Sequence, residues 1–153
     1  MASKKEWGNS CWYLFHTLSC KVKDEYFDGI KDELFSQIYG ICDNLPCPTC
    51  REDATTELKK INRSTIRTKD DLKRFLFQFH NFVNNKLKKP LFKYEEMEIK
   101  YTNAVTRNIV YNFLEVMSRK HHNIRILTND FQRDRMLNNF RSWIATNSYK
   151  FSP

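Results

Sequence analysis

The chain has 153 residues, 41% hydrophobic and 14% aromatic, with a formal net charge of +8, which is enough apolar material for one buried core and excludes a disordered chain. Three glycines and four prolines are too few for a sandwich or barrel of many tight turns, and long helix-forming runs separate them, so an all-α fold is expected. The basic excess is spread out, with its larger share in the tail, and no cluster matches a groove-reading motif, so the expectation is a solvated basic surface and no nucleic-acid partner.

The start, Met1-Ala2-Ser3-Lys4-Lys5-Glu6-Trp7, lacks an apolar signal core, and no transmembrane span is visible, so a cytosolic start is expected. Trp7-Gly8-Asn9-Ser10 reads as a helix entry, after which Cys11, Leu14, Phe15, Leu18 and Val22 recur on one apolar face. His16 lies beside that face and, taken alone, reads as a hydrogen-bonded core histidine. A second helix is expected from about Asp28 to Asn44, striped by Phe27, Ile30, Leu34, Ile38, Ile41 and Leu45. It ends before Pro46.

The stretch Leu45-Pro46-Cys47-Pro48-Thr49-Cys50 holds two cysteines two residues apart at a loop-to-helix junction. Pro48 suits the first turn of a new helix, which puts Cys47 at its N-terminus, where unpaired N–H groups and the positive dipole end favour a thiolate. This reads as a reactive dithiol. The alternative is a structural zinc site of Cys42, Cys47 and Cys50 in a basic helical interaction module, although no second CxxC or HxxxH follows at finger spacing. The third helix should carry Cys50, Ala54, Leu58 and Ile61 inward and leave Cys47 nearer the surface.

Thr68-Lys69-Asp70-Asp71 resembles a capping box and opens a fourth helix with Leu72, Phe75, Leu76, Phe79, Val83 and Leu87 facing the core. Pro90 closes it. His80 and Asn84 are i,i+4 neighbours on its polar side. Tyr94 to Tyr101 suits a short fifth helix, and Val105, Ile109, Val110, Phe113, Leu114 and Met117 mark a sixth. His121-His122-Asn123 interrupts the pattern, and Phe131, Met136, Leu137, Phe140, Trp143 and Ile144 indicate a last amphipathic helix. Cys11 and Cys20 are nine residues apart on one helix, roughly 13 Å at ~1.5 Å per residue, too far for a disulfide.

Three blocks in order, Trp7-Gly8…Trp12…His16, Cys47…Cys50 and His80-Asn81…Val83-Asn84…Lys86-Leu87…Lys89-Pro90, resemble the Erv/ALR family of FAD-dependent sulfhydryl oxidases over about residues 6–102. The resemblance implies a four-helix bundle with a short fifth helix and FAD at its mouth; residues 103–153 have no counterpart in it, and their periodicity gives the expectation of a helical C-terminal extension packed on or pairing the bundle. The resemblance also implies Cys50 as the flavin-proximal cysteine and Cys47 as the one that exchanges with substrate. Gly8, Trp12, His16, His80, Asn81, Val83 and Asn84 would line the flavin, Lys86 and Lys89 would face its ribose and phosphates, and Tyr101 stands where the family has an adenine-packing tryptophan. Asn9 stands where the family has a phosphate-facing arginine. Phe77 and Tyr94 occupy the positions of a structural disulfide in cellular members, an aromatic pair that resembles the compact oxidases of large cytoplasmic DNA viruses. The implied partners are a protein dithiol or a small CxxC relay protein, molecular oxygen and a second copy of the chain as a homodimer. The implied location is host cytoplasm or virion, with no metal in the site.

Overall fold

A computed structural model of the chain describes residues 1–119 and 127–153; the expected break at His121-His122-Asn123 lies outside them. Seven α-helices are described: α1 Lys4–Lys21, α2 Asp24–Cys42, α3 Pro48–Lys60, α4 Lys69–Lys86, α5 Tyr94–Thr102, α6 Thr106–Met117 and α7 Leu127–Asn147. None of them is long and apolar enough to cross a membrane.

The first helix starts earlier than the Trp7–Ser10 entry expected from sequence. Ser3 is its N-cap, with Oγ accepting from the Glu6 N–H at 3.2 Å, and Trp7 through Ser10 already lie within the helix. Nor does α1 bury one face alone. Leu14, Phe15, His16, Thr17, Leu18 and Ser19 are all buried, because α4, α5 and α6 all pack against α1. Ser10 and Ser19 sit in this interior by donating to the carbonyls of Trp7 and His16, each at 2.9 Å.

α2 begins at Asp24, ahead of the expected Asp28, with Asp24 and Glu25 in its first turn, where the dipole favours acidic groups. Its stripe of Phe27, Ile30, Leu34, Ile38 and Ile41 is buried as expected. α4 opens on the expected capping box: Thr68 Oγ1 accepts from the Asp71 N–H at 3.1 Å, and Asp71 Oδ2 accepts from the Thr68 N–H at 3.0 Å. Leu87, expected in the core, is 41% exposed because it follows the last turn of α4. α5 is tied to α4 by Lys73–Glu98, by Tyr94 Oη donating to Asp70 at 3.0 Å, and by the Phe77 and Tyr94 rings, edge to face at 5.5 Å.

Beyond α5, Phe113 of α6 meets Phe140 of α7 edge to face at 5.4 Å, and both are fully buried in the same core as Leu14 and Ile30. Leu137 and Ile144 join them, whereas Phe131, expected inward, is 72% exposed, and Val105, just before α6, is also exposed. The chain then returns to the junction of α1 with α2 and to the start of α6. Lys23 N–H donates to Lys150 O at 2.8 Å, Ser152 N–H to Lys21 O at 2.7 Å and Thr106 N–H to Pro153 O at 2.8 Å.

Candidate active site

Two prolines frame the redox cysteines. Pro46 restricts Leu45 on the exit from α2, and Pro48 takes the first position of α3, where a missing N–H leaves nothing unpaired. Cys47 is left as the N-cap, its Sγ accepting from the Cys50 backbone N–H at 3.2 Å. Cys47 and Cys50 are joined by a disulfide, with Cα atoms 5.2 Å apart. Both are half-buried, so exposure does not separate them as the helical-face argument expected. Direction does: Cys50 lies on the wall of a cavity that Cys47 does not line.

That cavity, about 330 Å³, is formed by α1, the end of α4 and the start of α3. Its volume falls within the range of small-molecule sites. Trp7, Trp12, Phe15, Leu45, Phe79 and Val83 give it apolar walls, and Lys4, Lys5, Asn9, Lys86 and Lys89 rim it. Trp12 and His80 are parallel to within 9° at a centroid distance of 4.0 Å, forming a flat aromatic surface. Behind it, fully buried His16 has Nε2 2.9 Å from His80 Nδ1 and stacks on Tyr101 at 4.6 Å. Burial, aided by His80 and Lys100, pulls His16 well below the ordinary histidine value; burial with Lys100 and Lys89 pulls His80 down to about 3. Both imidazoles are neutral at pH 7.

Of the residues assigned from resemblance, the structure brings Gly8, Trp12, Cys50, His80, Val83, Asn84, Lys86 and Lys89 to the cavity. His16 and Tyr101 lie in a layer behind it. Asn81 is elsewhere: its Nδ2 donates to Phe92 O at 3.1 Å and its Oδ1 accepts from Phe92 N–H at 3.3 Å, so both ends of the amide fold the following loop onto α4. Lys4 and Lys5 were missed because the helix was expected to begin at Trp7; with α1 starting at Lys4, Lys5 lies one turn before Asn9 on the same face. Asp53, also missed, pairs with Lys86 at 2.9 Å and links α3 to α4.

Cys11, Cys20 and Cys42 carry free thiols. Burial pushes the Cys11 thiol up to about 12 and the Cys42 thiol well above its ordinary value, so neither is a ready thiolate although both line the cavity. The zinc reading fails here. Cys47 and Cys50 are bonded to each other, Cys42 is buried, and among the described residues no group of three His, Cys, Asp or Glu side chains is placed to hold a metal.

The residues present fit a flavin dinucleotide. Asn84, buried on the cavity wall, makes no side-chain hydrogen bond among the described residues, leaving its amide for a ring edge. The flat aromatic wall suits a planar ring, and the lysine rim suits a pyrophosphate.

A helical bundle with a disulfide at a helix N-terminus, one sulfur on the wall of such a cavity, defines a thiol–disulfide redox protein. The chain belongs to the Erv1 / Alr family, whose sequence profile matches residues 9–102. Its relatives include the FAD-linked sulfhydryl oxidase of African swine fever virus, 30% identical over 105 residues that cover 69% of this chain and 87% of the relative. The probable FAD-linked sulfhydryl oxidase OPG072 of vaccinia virus is 30% identical over 97 residues, 63% of this chain and 95% of the relative. The mitochondrial FAD-linked sulfhydryl oxidase ERV1 of Saccharomyces cerevisiae is 31% identical over 91 residues, 56% of this chain and 44% of the relative. No solved structure matches the chain.

Proposed function

We propose that this protein is an FAD-dependent thiol oxidase that makes disulfide bonds in protein dithiols. The observation that carries the reading is the Cys47–Cys50 disulfide at the N-terminus of α3 with Cys50 alone of the pair on the cavity wall. A substrate thiolate attacks Cys47, the Cys47–Cys50 bond breaks, and Cys50 leaves as a thiolate; the substrate's second thiol then resolves the mixed disulfide and leaves the pair reduced. FAD bound in the cavity supplies the two-electron step between a dithiol and oxygen, which gives hydrogen peroxide. The chain's own part would be to present Cys50 to the bound flavin, to stabilise thiolates with the α3 N-terminus, and to keep His16 and His80 as neutral imidazoles at and behind the cavity wall.

Gly8, Trp12, Val83, Asn84 and His80 would meet the ring, Lys86 and Lys89 the ribose and phosphates, with His16, Tyr101 and Asn81 supporting them. Residues 1–102 would form the flavin-binding unit and 103–153 a brace packed on it. The partners are a protein dithiol or a small CxxC relay protein, together with oxygen. The chain would act as a homodimer in host cytoplasm or virion, a location favoured by its viral relatives.

The test is the purified protein's colour and turnover. A yellow protein that consumes oxygen and releases peroxide with dithiothreitol is expected, with Cys47→Ser and Cys50→Ser both inactive. A colourless protein that cannot be loaded with FAD would sink the reading.

A further inference from the structure

The family match ends at residue 102, yet α7, well beyond it, reaches the redox loop. Arg133 Nε donates to the carbonyl oxygen of Asn44 at 3.3 Å. Asn44 sits three residues ahead of Cys47, in the turn that leaves α2; its N–H donates to Ile41 O at 3.1 Å and its Nδ2 to Gly40 O at 2.8 Å. Carbonyls at and beyond a helix C-terminus lack an intrahelical donor, so the guanidinium fills a need that the local chain does not meet.

Arg133 is itself fixed. Its Nη1 donates to Asp130 Oδ1 at 2.8 Å, and the two side chains are only 3% and 5% exposed. A buried ion pair is a poor source of stability, since well-packed apolar residues of similar volume serve as well or better. This one is not even fully satisfied, for Asp130 Oδ2 has no hydrogen-bond partner among the described residues. What the pair does provide is direction: a planar fork held by one edge and aimed by another at the redox loop.

Between Asn44 and Cys50 the chain has little freedom to absorb a shift. Pro46 and Pro48 each fix a φ angle on either side of Cys47, so a displacement at Asn44 is passed on to the Cys47 N-cap geometry. We propose that Arg133, held by Asp130, is a positioning residue for the redox pair, fixing the Asn44–Pro46 segment and with it the aim of Cys47 Sγ at the N-terminus of α3. The C-terminal extension is then part of the redox site and not only a cover for α1. The inference rests on Cys47–Cys50 as the exchanging disulfide, and its readouts need neither flavin turnover nor oxygen.

The test uses the full chain with both side chains replaced, Asp130→Leu with Arg133→Met, a change chosen to fill the volume with apolar groups and leave no buried charge unpaired. Two quantities are read: the rate at which glutathione opens the Cys47–Cys50 disulfide, and the pH profile of Cys47 alkylation in the reduced protein, followed by mass spectrometry of the Cys47 peptide. The double variant is expected to exchange about tenfold more slowly with a displaced profile, and Arg133→Lys to recover part of the rate. Phe140→Leu, a core change on the same helix, should lower Tm and leave both readouts alone. Wild-type rate and profile in the folded double variant would overturn the proposal, as would an equal change in Phe140→Leu. If the double variant does not fold, Arg133→Lys decides: a rate about threefold down supports the positioning role, and a wild-type rate and profile reject it. Loss of colour or of peroxide release with these readouts intact would count against the oxidase reading instead.

Discussion

His16 Nε2 and His80 Nδ1 lie 2.9 Å apart, joining α1 to α4 with His80 on the cavity wall and His16 behind it. Both are held neutral, chiefly by burial. The folded value of His80, about 3, is below its ordinary 6.5, so the unfolded chain takes up the proton first as pH falls. Stability from this group is whole above about pH 6.5 and is lost as pH drops toward 3. Between pH 6.5 and 5 the wild type should lose about 1–2 kcal/mol from His80, at 1.36 kcal/mol per unit, with a loss of the same sign from His16. His80→Gln should flatten the slope of Tm against pH; an unchanged slope would show that His80 titrates normally.

The two active cysteines should differ in the loaded protein. Cys47→Ser leaves Cys50 as a lone thiol on the cavity wall and is expected to add a long-wavelength absorption band, whereas Cys50→Ser is not. Identical spectra for the two variants would remove the distinction drawn from the cavity wall.

Lys4 and Lys5 of α1, on the rim that Lys86 and Lys89 also line, should hold the dinucleotide's phosphates. The Lys4→Ala, Lys5→Ala double variant is expected to weaken FAD binding about tenfold in dilute buffer and much less in 1 M salt, where the Debye length falls to ~3 Å. Riboflavin, which lacks phosphate, should bind both proteins alike. Equal loss for riboflavin would mean that the substitutions disturb the fold and not a phosphate contact.

Phe77 and Tyr94 pack edge to face at 5.5 Å and join α5 to α4 without a covalent link. A double-mutant cycle to leucine at both positions should give a coupling of about 0.5–1.5 kcal/mol in denaturant unfolding. Additive losses would leave the tie to Lys73–Glu98 and Tyr94–Asp70.

A Cys11→Ser, Cys20→Ser, Cys42→Ser triple variant should oxidise small dithiols at close to the wild-type rate, since none of the three is bonded and two are buried with raised thiol values. Oxygen uptake with a protein dithiol gives the sharper check. If only that activity is lost, one of these thiols relays electrons.

The sequence by itself determined what depends on neighbours a few residues away. The capping box at Thr68, the proline-framed N-cap at Cys47, the stripe of α2 and the all-helical class follow from backbone hydrogen bonding and 3.6-residue periodicity, which act within one or two turns. The ordered Trp-Gly, CxxC and His-Asn blocks identified the family for the same reason: a motif is local and survives being read as text. The tertiary structure decided what depends on how helices are rotated and placed. Only the packing of the assembled helices buries His16 on Tyr101, exposes Phe131 while burying Leu137, turns Asn81 from the cavity to Phe92, and brings Lys5 to the rim that Lys86 shares. The contact of Arg133 with Asn44 spans 89 residues, and no periodicity in either segment encodes it. It exists because α7 packs against α2 and α6, a placement that only the assembled helices fix.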